Sequence, residues 1–194
     1  MFFIQDCTYH VYNRSNVNIF YNRENYLFFL KKIREHILPY ADILSYCLMP
    51  NHFHLIITAN ADGVAFFKNK QIASLQFLSR AIGTVLSSYT QALNKERGKR
   101  GSLFAHKTKA KLLNDAKNEY ALNCFMYVHQ NPLHAKLINK IEDWEFTSFP
   151  DYIGKRKGTL VNINLGLDIF QIDKNQIYEL TYFMRQDKFD EDFL

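Results

Sequence analysis

The stretch Tyr46-Cys-Leu-Met-Pro-Asn-His-Phe-His-Leu-Ile-Ile-Thr58 decides how the rest of the chain is read. From His52 to Thr58 it is rich in Leu, Ile and Phe, so it is predicted to be a strand. Side chains alternate faces along a strand. His52 and His54 therefore point one way, and Phe53, Leu55 and Ile57 the other. Two imidazoles about 7 Å apart on one stiff face can hold one metal ion. A pair of half-exposed histidines without a task fits the same pattern. Pro50-Asn51 is a tight-turn signal, so Ile43 to Met49 reads as the hairpin partner of the His strand.

Working outward, residues 6 to 13 read as a first strand, followed by the polar loop Asn13-Arg-Ser-Asn-Val-Asn18. A helix is expected from Asn22 or Arg23 to before Pro39, with Tyr26, Leu30, Ile33 and Ile37 at helical spacing. Residues 60 to 71 read as an irregular connection. A long helix follows from about Ala73 to Asn94, with an apolar stripe of Leu75, Leu78, Ile82, Val85, Leu86, Tyr89 and Leu93. The glycines of Lys95-Glu-Arg-Gly-Lys-Arg-Gly101 stop it. Residues 102 to 113 read as a fourth strand. Asp115 is a plausible N-cap for a helix from Ala116 to about Gln130, which Pro132 is expected to break. The first six elements spell βαββαβ, an α+β, ferredoxin-like antiparallel sheet with both crossover helices on one face. An additional C-terminal helix is left for the other face or an edge. Residues 1–154 form the expected main domain. Residues 155–194 form a C-terminal extension behind the linker Gly154-Lys-Arg-Lys-Gly158, helical from about Lys174 onward.

Composition narrows the class. The chain has 194 residues, 47% of them apolar, with 17 Phe and 12 Tyr, which suits one folded domain rather than a disordered chain. No apolar run approaches the length of a membrane span, and Met1-Phe-Phe-Ile-Gln-Asp lacks a basic leader region, so neither a membrane nor a secretory route is expected. Three scattered cysteines, Cys7, Cys47 and Cys124, read as reduced thiols of a cytoplasmic protein. Net charge is +5, unevenly spread. Residues 1–150 hold 18 Lys and Arg against 11 Asp and Glu, and residues 151–194 hold 6 against 8. A basic body suits a nucleic-acid partner.

The helix before the extension carries Tyr127-Val-His-Gln-Asn-Pro132. Tyr127 and Asn131 are four apart and share a face. A phenol can act as nucleophile and a carboxamide oxygen as a third metal ligand, although Gln130 is a rival for the latter. Equally, Tyr127 could be one core aromatic among many, and Asn131-Pro132 only a helix stop. Lys95, Arg97, Lys99, Arg100, Lys107, Lys109 and Lys111 cluster around the fourth strand. There Lys107, Lys109 and Lys111 alternate onto one face, with Phe104, His106 and Thr108 on the other. Such a row can contact phosphates without reading sequence, with nearby aromatics stacking on bases, or it can be a lysine-blunted edge. Arg14 is a further candidate. His10, His36, His106, His129 and His134 read most simply as structural or surface residues.

Taken together these segments resemble the single-tyrosine HUH transposases, and most of all the REP-associated tyrosine transposase branch. Tyr9-His-Val-Tyr-Asn-Arg14, Leu48-Met-Pro-Asn-His-Phe-His-Leu55, Gly101-Ser-Leu-Phe104, Tyr127-Val-His-Gln-Asn-Pro132 and Trp144-Glu-Phe-Thr-Ser148 match in order, over roughly residues 8 to 152. The resemblance implies a metal-dependent enzyme that nicks and rejoins single-stranded or hairpin DNA. His52, His54 and Asn131 would be metal ligands, and Tyr127 the nucleophile of a 5′-phosphotyrosyl intermediate. Arg14, Arg97, Lys99, Arg100, Lys107, Lys109 and Lys111 would be DNA contacts. The implied cofactor is a divalent ion, Mn2+ or Mg2+, and the implied state a monomer or a homodimer. The rival reading is a catalytically idle hairpin or single-stranded DNA-binding regulator on the same fold. The extension matches no motif. Its acidic, Phe-containing end, residues 187–194, is expected either to cover the basic surface or to be a plain packing segment.

Overall fold

A computed structural model describes residues 1–69, 72–104, 107–113 and 118–184. Four strands, β1 (Thr8–Arg14), β2 (Ala41–Met49), β3 (His52–Ala59) and β6 (Lys109–Leu112), form one antiparallel sheet in the order β2-β3-β1-β6. That order, with α1 (Arg23–His36) and α3 (Phe77–Glu96) as the crossovers, is the expected ferredoxin-like arrangement.

Side-chain alternation divides the sheet into two faces. Val11, Phe53, Leu55 and Ile57 join Phe29 and Ile33 of α1 and Leu78, Ile82, Val85 and Tyr89 of α3 in the first core. Asn22 caps α1, its side chain accepting from the Asn25 N–H. The opposite face meets α4 (Asn118–His134). Leu44, Cys47, Met49 and Ile56 pack there with Cys124, Phe125 and Val128 in a second core. Side chains of β2 alternate between the layers, and the register shift between Ile43 and Ser45 changes the parity: Ile43 and then Tyr46 and Leu48 face the first core, Leu44 and then Cys47 and Met49 the second.

Several expectations are corrected. Part of residues 60 to 71 is ordered structure: a short α2 (Ala61–Val64) leads into a hairpin of β4 (Phe66–Asn69) and β5 (Ile72–Gln76). The long helix consequently starts at Phe77 rather than near Ala73. Tertiary contacts fix that boundary. The Gln76 side chain accepts from the Phe3 N–H and donates to the Phe3 and Val64 carbonyls. The fourth strand is confined to Lys109–Leu112 among the described residues. Pro132 does not end α4, which runs one more half-turn to His134. It costs the ladder one N–H near the helix end, while Ala135 N–H still reaches the Asn131 carbonyl. Asp115, Ala116, His106 and the acidic end 187–194 lie outside the described residues.

Beyond the sheet, α6 (Ile163–Ile169) and α7 (Ile177–Phe183) follow a short α5 (Phe149–Tyr152). Phe170, Ile172 and Ile177 complete the second core, so α4 lies between the sheet and this extension. Gln130 of α4 donates to the Thr181 and Met184 carbonyls and fastens α7. Between the two parts, the expected linker is pinned: Arg156 donates to both Asp151 carboxylate oxygens, the Tyr46 hydroxyl and the Thr147 and Glu145 carbonyls.

Candidate active site

The site is built where β3 and the C-terminal end of α4 meet. His52 and His54 emerge from one face of β3, as their spacing predicts, with ring centroids 5.0 Å apart and planes nearly perpendicular. Asn131 comes down from α4 between them. Its Oδ1 lies 3.3 Å from His52 Nε2 and its Nδ2 lies 3.2 Å from His54 Nε2. Tyr127, one turn earlier, sets its ring edge-on to His54 at 5.7 Å and is 7% exposed. A cavity of about 510 Å³ opens onto this group. Its walls include Arg14, Asn18, His52, Tyr127, Asn131 and His134. Gln130, the rival for Asn131, points away from the histidines and is spent on α7.

Each histidine is also held from behind. His52 Nδ1–H donates to Asn51 Oδ1 at 2.7 Å, so the turn residue orients the ring. His54 Nδ1 shares a 2.9 Å hydrogen bond with His10 Nε2 of β1. Of the two readings the sequence leaves for His10, structural or surface, the structure takes the first. His10 is fully buried and stacks on Tyr12. Sequence alone could not find this partnership, because it depends on the β1–β3 register, in which Tyr12 pairs with His54 and His10 with Ile56.

Burial decides the protonation states. It pushes His52 down to about 4, with the Asn131 hydrogen bond opposing and Arg14 assisting. It pushes His10 down to about 3, helped by Lys111. His54 also lies well below the usual histidine range, through burial and then its two histidine neighbours. All three rings are therefore neutral at pH 7, the form that binds metal. The Tyr127 phenol is raised, chiefly by burial, while a hydrogen bond with Asn131 and the charge of Arg14 pull it back.

The donor set can be tested against a divalent ion. With His52 Nδ1–H committed to Asn51, His52 Nε2 presents a lone pair to the Asn131 carbonyl oxygen. Two acceptors 3.3 Å apart repel, and a shared cation is one way to satisfy both. Turning the carboxamide over is the metal-free alternative. Among the described residues no third His, Cys, Asp or Glu completes a ligand cluster here. The donors available to an ion here are two imidazoles and a carboxamide, a set that would leave positions for water or phosphate oxygen. It fits Mn2+ better than Mg2+, which favours all-oxygen shells.

The basic candidates fall into two groups. Lys109 and Lys111 lie on the histidine face of β6, their ammonium groups over the rings of Tyr12 at 5.7 Å and Tyr120 at 4.5 Å. Arg14 lines the cavity itself. Arg97 stacks on Tyr21 at 3.7 Å, in the β1–α1 loop that also supplies Asn18 to the cavity. Lys99 and Arg100 follow the end of α3 and are exposed, as is Lys107 before β6. The remaining histidines are separate: His129 is buried against Ser148, and His36 ends α1.

A solved structure of known fold shares this architecture. A REP-associated tyrosine transposase bound to a REP hairpin superposes with a TM-score of 0.57 at 15% identity, covering 80% of this chain and 84% of that one. The chain has the fold of that transposase. No known protein-family model matches the chain, and no curated protein matches it. Among the described residues, no helix is long and apolar enough to cross a membrane.

Proposed function

We propose that this protein is a metal-dependent tyrosine transposase-type enzyme, which cleaves and rejoins single-stranded or hairpin DNA through Tyr127. One observation carries the reading: the Nε2 atoms of His52 and His54 converge on Asn131, with Tyr127 one turn away in the same open cavity. The shared fold with a transposase bound to hairpin DNA supports it.

The residues divide the work as follows. His52, His54 and Asn131 would hold Mn2+ or Mg2+, which withdraws charge from a phosphate oxygen and offsets the negative charge that builds up there. Arg14 pairs with the phosphate from the cavity wall. Tyr127 loses its proton to water in the open cavity, and its oxygen attacks phosphorus. The P–O3′ bond breaks, the leaving 3′ oxygen takes up a proton, and the 5′ phosphate stays on the phenolic oxygen. Burial raises the phenol above an already high pKa, so the attack depends on positive charge at the phosphate. The 3′-hydroxyl of another end can reverse the step, so no external energy source is needed. Arg97, Lys99, Arg100, Lys107, Lys109 and Lys111 contact the DNA backbone outside the cavity.

The decisive experiment incubates the protein with end-labelled single-stranded hairpin DNA and Mn2+, then looks for a covalent adduct on a denaturing gel. The adduct forms with the wild type and with Tyr120→Phe but not with Tyr127→Phe. An adduct that survives Tyr127→Phe refutes the assignment. Cleavage without an adduct identifies an ordinary nuclease, and binding without cleavage identifies the idle regulator.

A further inference from the structure

We propose that His10 is a positioning residue that fixes which nitrogen of His54 presents a lone pair towards Asn131; the inference rests on the reading of the site given above. His10 sits on β1, a central strand paired on both sides, opposite Ile56 of β3 and Lys111 of β6. Its backbone is therefore held by two ladders. Its ring is fully buried and stacks on Tyr12 at 4.7 Å and on His54 at 5.0 Å. From that position its Nε2 reaches His54 Nδ1 at 2.9 Å.

Two neutral imidazoles joined nitrogen to nitrogen share a single proton, so one ring donates and the other accepts. If His10 donates, His54 carries its own proton on Nε2 and cannot ligate a metal through that atom. If His54 donates, its Nε2 bears a lone pair. The overturned carboxamide would match the first arrangement; as placed, the Nδ2 of Asn131, 3.2 Å from His54 Nε2, is a donor and matches the second. His10 is then the acceptor that holds His54 in the Nδ1–H tautomer, with Nε2 free to ligate. Asn51 does the same for His52 through a carboxamide oxygen. The two ligands are thus oriented by different groups from different elements, and only His10 depends on the sheet being assembled.

Two readouts test this. In the metal-free wild type, ring-nitrogen NMR, with His54 identified by the signal lost in His54→Gln, should show the Nδ1–H form. A predominant Nε2–H form would overturn the inference, whatever the variants do. Mn2+ binding is then followed by electron paramagnetic resonance of the free ion. His10→Leu, which removes the acceptor, should weaken binding by roughly 10–100-fold and redistribute the His54 tautomer. His10→Gln, which restores an acceptor oxygen, should recover most of the affinity. A folded His10→Leu protein with wild-type affinity and tautomer would refute the role. A wild type that binds no Mn2+ and forms no DNA adduct would instead count against the broader functional reading, while the tautomer measurement still decides the role of His10.

Discussion

Replacing Asn131 by alanine removes a single carboxamide that touches His52 Nε2, His54 Nε2 and, through a hydrogen bond, Tyr127. Without metal, the cost is that of leaving buried imidazole nitrogen unpartnered, about 1–3 kcal/mol. With metal, the loss is larger in a way that can be read directly. At Mn2+ a hundred times above Kd, binding stabilises the wild type by about 2.7 kcal/mol. If losing one of three protein ligands weakens binding about a hundredfold, the top of the range for an outer-shell partner, the same Mn2+ concentration stabilises the variant by only about 0.4 kcal/mol. For a chain of this size that is a melting shift of about 5–11 °C collapsing to about 1–2 °C. Thermal unfolding with and without Mn2+, at matched protein concentration, makes the measurement. An Asn131→Ala protein that gains as many degrees from Mn2+ as the wild type would remove Asn131 from the ligand set.

The other predictions are more local. Replacing both Lys109 and Lys111 by alanine should lower the slope of log affinity against log salt for single-stranded DNA by about 1.4, at unchanged fold; an unaltered slope would place the phosphates elsewhere. Gln130→Leu strands the carbonyls of Thr181 and Met184, so it should cost about 1–3 kcal/mol and speed amide exchange in α7. Undiminished protection there would contradict the fastening role. His129 is pushed down to about 3 by burial, so between that value and about 6.5 the unfolded chain binds a proton that the folded one does not. Stability therefore falls with decreasing pH across this window, by up to about 1.4 kcal/mol per pH unit from this residue. His129→Gln should flatten the profile by that amount, and parallel profiles for the two proteins would argue against it.

The parts of this fold legible in the sequence are those governed by local rules. Strict alternation put His52 and His54 on one face of β3, Pro50-Asn51 marked the hairpin, and Asn22 marked the start of α1. Tyr127 and Asn131 shared a face because helical spacing requires it. What escaped was set by distant contacts. The segment Ala73-Ser-Leu-Gln76 looks helical in isolation, yet it belongs to β5 and its end, because Gln76 is tied to Phe3 across the molecule. Nothing near His10 advertises its bond to His54, which exists only once β1 lies beside β3. The extension likewise reads as a polar linker with helix only from about Lys174 onward, which leaves α6 unread. Its apolar residues, Phe170, Ile172 and Ile177, gain meaning only against α4.

The placement of α4 between the sheet and the extension has a consequence for genetics as much as for chemistry. The helix bearing Tyr127 packs on its own β2 and β3 and is fastened to its own α7, with the phenol already against its own His54. Lending that helix to another copy would mean opening the second core. If Tyr127 serves the His pair of its own chain, two damaged copies should not rescue one another. An equimolar mixture of His52→Ala and Tyr127→Phe proteins should form no more adduct than either alone, whereas a helix exchanged at random between copies would restore about a quarter of the sites.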